Sequence, residues 1–158
     1  MGAKNLKAIA VRGRQPVPVA EPQRLKAVNA KLIARSRGPA TAKYRHLGTP
    51  ANLLTFHRLG VLPTRNFQQG TFAAAEQLSG EELHERHLAK VVGCAACTVG
   101  CEHLYRSLDP AASDDGATVA RLEYETLYAL GPLLGIADPN LVIRAAARCD
   151  ALGMDSIS

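Results

Sequence analysis

Apolar residues in this chain fall into short periodic groups punctuated by Pro and Gly. Leu6 to Val11 is a compact apolar run and predicts one β-strand. Pro16, Pro18 and Pro22 follow, so the stretch from Gly13 to Glu21 reads as a boundary. Leu25, Val28, Leu32 and Ile33 then recur at helical spacing, with Pro22 placed for a first turn. Thr49-Pro50 predicts an N-cap followed by Pro at the first helical position, and Gly60 suits the other end. Ser79 and Glu82 have capping-box spacing and predict a helix leading to a cysteine-rich loop. Leu122, Leu127, Leu130 and Leu133-Leu134 form another helical face, closed around Gly131-Pro132. Asp138-Pro139 predicts the start of a last helix, with Leu141, Val142, Ala145 and Ala146 inward and Gly153 at its end. Ala111 to Gly116 reads as a polar surface loop. The expectation is a mainly α chain, with one short strand at its front and no internal repeat.

Composition narrows the class. Of the 158 residues, 47% are hydrophobic, enough to build a core. Aromatics make up 4% and Trp is absent, so that core rests on Ala, Leu and Val. Eleven of the nineteen Lys and Arg precede residue 46, and the net charge is +5. A basic face of this kind suits nucleic acid or an acidic partner. The scarcity of stacking aromatics and the lack of a nucleic-acid motif argue against nucleic acid. No apolar run approaches the roughly 20 residues that span a bilayer, and no signal peptide is evident, so a cytoplasmic protein is expected.

The most specific chemistry is the run Gly93-Cys94-Ala95-Ala96-Cys97-Thr98-Val99-Gly100-Cys101. Three thiols within eight residues, when the rest of the chain holds one, point to a shared inorganic centre. Iron–sulfur clusters are held by Cys thiolates, and the small residues between them let the backbone come close. Zinc is the rival: the absence of a second Cys-x2-Cys knuckle argues against it, while His103 is a candidate fourth ligand. A Cys94–Cys97 disulfide would leave Cys101 unpaired. Three free buried thiols remain the plainest alternative, and their density argues against it.

The flanking residues resemble those of tungsten-dependent aldehyde ferredoxin oxidoreductases. Met1 to Gly13 is similar to an internal segment of that family, as are Gly48-Thr49-Pro50 and Gly60-Val61-Leu62-Pro63-Thr64-Arg65-Asn66-Phe67. The cysteine run, Glu123-Tyr124-Glu125-Thr126 and the ending Cys149 to Ser158 follow in the family's order. The ending looks like the family's pterin motif, Asp-x-x-Gly-Leu followed by Asp or Cys, with Met154 in place of Leu. The family's enzymes are several times longer, so the resemblance implies an interior piece. Residues 1–13 would be the last strand of an N-terminal pterin-binding domain. Residues 14–158 would be the front of a helical second domain, with the fourth cluster cysteine and a second pterin motif elsewhere.

The same resemblance implies a [4Fe-4S] cluster on Cys94, Cys97 and Cys101, and a tungsten bis-pterin contacted by Asp150, Gly153, Met154 and Asp155. It matches Glu125 to a glutamate that assists proton transfer beside the metal. Without it, Glu123 and Glu125 are simply acidic residues at a helix start, and Asp150 a helix-end residue. The implied parent oxidises an aldehyde to a carboxylic acid and passes electrons to ferredoxin. Related tungstoenzymes acting on aromatic thioesters, and a non-catalytic iron–sulfur or zinc module, are the alternatives. The family includes members with a metal held between subunits by Glu and His, so the parent is a candidate homo-oligomer. Glu81, His84 and His87 do not map onto that site and read as a solvated helix face. Arg65 and Asn66 read as a turn, Tyr124 as pocket-lining or helix-packing, and Cys149 as a buried thiol.

Overall fold

The computed structural model describes residues 5–6, 8–109 and 118–156. The expected loop at 111–116 and residues 1–4, 7 and 157–158 lie outside the described residues. The chain is mainly α, with helices α1 (Pro22–Ser36), α2 (Ala42–Leu47), α3 (Leu53–Arg58), α4 (Gly80–Glu82), α5 (Tyr124–Leu130) and α6 (Pro139–Leu152). Strands β1 (Leu88–Val92), β2 (Glu102–Arg106) and β3 (Val119–Arg121) form one antiparallel sheet in that order.

The core is assembled by residues 53–146. Leu53, Leu62, Leu78, Leu83, Tyr105, Leu122, Leu127, Val142 and Ile143 are all fully buried. They draw α3, α5 and α6 onto one side of the sheet, with α6 packed against β3. Phe56, Tyr124 and Tyr128 stack in a row, with centroids 4.9 and 5.1 Å apart, and fasten α3 to α5.

Several expected boundaries are found. Asp138 caps α6 by accepting from the Asn140 N–H at 2.9 Å. Ser79 accepts from the Glu82 N–H at 3.1 Å, as a capping-box serine should. Gly131-Pro132 ends α5, and Pro22 opens α1. Arg65, Asn66 and Phe67 take consecutive left-handed conformations in a turn, whose Arg65 and Asn66 N–H groups donate to the Pro132 and Leu133 carbonyls.

Five expectations need correction. The described residues of Leu6 to Val11 carry no strand, and Ile9 and Val11 are exposed. A lone strand has no ladder to satisfy its backbone groups, and no described strand lies beside it. Thr49 does not cap the helix it precedes: Gly48 takes that position, and the Thr49 hydroxyl turns to α5 instead. Leu141, expected inward on α6, is 45% exposed, while Ile143 points inward. The helix opened by Ser79 is a single turn that widens into a π-turn (Leu83–His87) and runs into β1, so a strand leads to the cysteine loop. The π-turn also rotates its histidines inward. His87 is buried with Nδ1 2.9 Å from the Arg106 carbonyl oxygen, and the half-buried His84 ring lies 4.3 Å from that of His46. The solvated face foreseen for His84 and His87 is therefore not theirs: of Glu81, His84 and His87, only Glu81 is exposed.

Helix α1 buries none of its residues. Its apolar stripe stays open, with Leu32 57% exposed, and among the described residues no single helix is long and apolar enough to cross a membrane. Stability is therefore expected to reside in the sheet and α3–α6. Leu127→Ala should lose about 2–5 kcal/mol in urea unfolding, whereas Leu32→Ala should stay within about 0.5 kcal/mol. Equal losses from the two would show that α1 belongs to the core.

Candidate functional site

The cysteine run is the connection of the β1–β2 hairpin. Val92 pairs with Glu102, so residues 93–101 project from the end of the sheet. A Cβ on Gly93 would stand 3.3 Å from the Gly100 Cα, which closes the neck of the loop. Gly100 has a φ of +63°, a conformation that side chains disfavour, and it turns the chain into β2. Between them the Cys97 N–H donates to the Cys94 carbonyl at 2.9 Å, making a tight turn with Ala96 at a φ of +60°. A hydrogen bond between the Ser36 and Thr98 hydroxyls pins the loop to the last turn of α1.

All three thiols are free, with Cys94 and Cys97 exposed and Cys101 half-buried. A hydrogen bond to the Glu102 carboxylate, 3.1 Å away, chiefly pushes the Cys94 thiol up from its ordinary pKa. Burial and then the charge of Glu123 push up Cys101, and Cys97 acts electrostatically on both neighbours. Among the described residues no three Cys, His, Asp or Glu side chains converge as the ligands of a single ion would. The donor chemistry suits a cluster, whose thiolates bind separate irons and need not meet at one point. His103 does not complete a zinc site. It is fully buried on the inner face of β2, its Nδ1 3.3 Å from the Tyr105 hydroxyl. Its Nε2 has no partner, and burial lowers its pKa.

Between the β2–β3 strands and α5 and α6 lies a cavity of about 370 Å³, lined on the sheet side by Leu104, Val119, Ala120 and Arg121. Arg121, Glu123, Thr126, Asp150 and Ser156 supply its polar lining. Asp150 lines it from the last turn of α6, which ends in a Schellman turn. Gly153 is left-handed at a φ of +67°, its N–H donates to the Asp150 carbonyl, and the Met154 N–H donates to that of Cys149. A 3.0 Å hydrogen bond joins the Thr126 and Ser156 hydroxyls. Met154 and Asp155 are exposed beside this turn, and Cys149 is half-buried in the last turn of α6.

Besides Asp150, this cavity is lined by the carboxylate of Glu123. That carboxylate accepts from the Thr49 hydroxyl at 2.6 Å, while that hydroxyl accepts from the Tyr124 N–H at 2.8 Å. Thr49 thus caps α5 across the fold and fixes Glu123 at its N-terminus. Glu125 opens onto a different pocket, with Phe56, Val61, Pro63, Tyr124 and Tyr128. In that pocket burial leads the causes that push the Tyr124 hydroxyl up to about 12. The structure thus brings Asp150 and Glu123 to one cavity and leaves Glu125 apart. In the sequence Glu123 stands out only as a helix-start acid; the threonine that orients it stands 74 residues away.

The sequence comparisons identify the family. The family model for aldehyde ferredoxin oxidoreductase, domains 2 and 3, matches residues 25–158. The chain is 37% identical over 163 aligned residues to the tungsten-containing aldehyde ferredoxin oxidoreductase of Pyrococcus furiosus, covering 100% of this chain and 26% of that protein. Enzymes of the same name from Thermococcus kodakarensis and Pyrococcus horikoshii match with 37% identity along the full chain. This chain belongs to the aldehyde ferredoxin oxidoreductase family. It spans about a quarter of the length of the curated relatives it matches.

The Thr49 linkage has a measurable consequence. Thr49→Val removes the donor to Glu123 and the acceptor for the Tyr124 N–H, and should destabilise the chain by about 1–3 kcal/mol. Glu123→Gln keeps an acceptor for Thr49 and should cost less. Urea unfolding of both variants checks this, and a smaller loss from Thr49→Val than from Glu123→Gln would contradict it.

Proposed function

We propose that this chain forms the cluster-bearing part, and one pterin-contacting edge, of a tungsten-dependent aldehyde ferredoxin oxidoreductase. The observation that carries the reading is the placement of three free thiols on one hairpin loop, on the same sheet that walls the Asp150–Glu123 cavity. In the parent protein, residues 1–13 belong to a preceding pterin-binding domain, and residues 14–158 open the second domain.

The reaction converts an aldehyde and water to a carboxylic acid, releasing two electrons and two protons. When bound, the tungsten bis-pterin supplies the two-electron chemistry and the [4Fe-4S] cluster passes electrons singly to ferredoxin. The chain's own residues bind and orient. Cys94, Cys97 and Cys101 give three thiolates to the cluster. Asp150 accepts hydrogen bonds from the amino and ring N–H groups of a pterin, and Gly153 and Met154 offer backbone groups at the helix end. Asp155 flanks the same turn. The family likeness gives proton handling to Glu125. The geometry favours Glu123, because its carboxylate shares the cavity with Asp150 and is already oriented by Thr49.

The test places residues 1–158 in the Pyrococcus furiosus enzyme in exchange for its matched segment. The chimaera should hold tungsten, iron and acid-labile sulfide, and reduce a dye when given an aldehyde. Cys97→Ser should lower iron and electron transfer while tungsten is retained, and Glu123→Gln should lower kcat more than Glu125→Gln. Bound zinc without iron would favour a structural module. A folded chimaera that holds both metals yet ignores aldehydes would point to a tungstoenzyme with another substrate.

A further inference from the structure

The charged pair Glu102–Arg121 joins the cysteine loop to the cavity, and its geometry is set by strand register. Leu104 lies opposite Arg121 in the β2–β3 ladder, so Glu102, two residues earlier, is the diagonal neighbour of Arg121 on the same outer face. Arg121 Nη2 stands 3.1 Å from Glu102 Oε2, and the other carboxylate oxygen, Oε1, takes the Cys94 thiol hydrogen bond at 3.1 Å. The Glu102 side chain is 16% exposed and that of Arg121 52%. Arg121 also lines the cavity that contains Asp150.

An exposed ion pair alone adds little. This one is distinct because its acidic member touches a candidate metal ligand. Once Cys94 gives up its proton to bind a metal, the thiol no longer donates, and a thiolate faces a carboxylate. The guanidinium on the far oxygen then offsets that repulsion. We infer that Glu102 and Arg121 are a positioning pair of opposed charges, which sets the electrostatic environment of the metal centre on the cysteine loop and couples that loop to the cavity wall. This rests on the reading of the loop as a metal site. Net charge and hydrogen bonding around the sulfurs are among the factors that set cluster potential.

The sign of each effect follows. Glu102→Gln removes a negative charge beside the thiolates and leaves Arg121 uncompensated, so it disfavours a bound cation and favours cluster reduction. Arg121→Gln does the reverse. The double variant removes a neutral pair and should lie between the single variants, near the unmodified chain.

Cobalt(II) titration of the 158-residue chain, read by thiolate-to-cobalt charge-transfer absorption, tests this without any need for sulfide or tungsten. Affinity should fall about fivefold in Glu102→Gln and rise about fivefold in Arg121→Gln, the scale of one unit charge at close range in a well-solvated site. Glu81→Gln, which alters an exposed carboxylate on α4, should leave it unchanged. Shifts of the same sign in both single variants, or no shift in either, would overturn the pair's role while leaving the metal loop intact. Lack of a cobalt–thiolate band in the unmodified chain would overturn the metal-loop reading itself, and the pair's role with it.

Discussion

Strand β2 organises the molecule, because its side chains alternate between two jobs. His103 and Tyr105 face inward and are fully buried, while Glu102 and Leu104 face outward and are half-buried. A pleated strand permits no other assignment once one side is committed to the core. Tyr105 fixes that commitment: its ring is buried, and its hydroxyl reaches the Leu47 carbonyl of α2 at 3.4 Å. A slip of one residue would bury Glu102 and Leu104 instead and carry Glu102 away from Cys94. Core packing and the electrostatics of the cysteine loop therefore depend on the same register.

The loop and cavity are built around that strand by contacts distant in sequence. The hairpin brings Cys94 back to Glu102, and β3 brings Arg121 alongside. Thr49, from the turn before α3, caps α5 and holds Glu123. Each is a local polar group satisfied by a remote one, which a buried polar group requires. The resulting surface has thiols at one end and carboxylates at the other, with a salt bridge between them.

The helices at either end of the core were legible because their signals are local. Asp138-Pro139 and Gly153 bound α6, and Gly131-Pro132 ends α5, through caps formed within a few residues. The sheet was not. Glu102 to Arg106 offers only Leu and Tyr to a hydropathy reading, and one of its two inward residues is a histidine. In β1, only the ends are half-buried, so alternation is faint. The apolar run at Leu6 to Val11 failed in the opposite direction, since apolarity alone cannot supply a neighbouring strand. At the site, the thiols and Asp150 were evident from spacing and likeness. The hold of Thr49 on Glu123 is a contact that no local pattern reveals.

In the proposed function the β1–β2 loop is a scaffold for an iron–sulfur centre rather than a plain hairpin connection. Iron-edge X-ray absorption on the chain reconstituted anaerobically with ferrous iron and sulfide measures this most directly. The account predicts iron surrounded mainly by sulfur, with a second shell of neighbouring iron, and loss of that second shell in Cys97→Ser. Iron coordinated only by oxygen and nitrogen, with the same spectrum in Cys97→Ser, would contradict it.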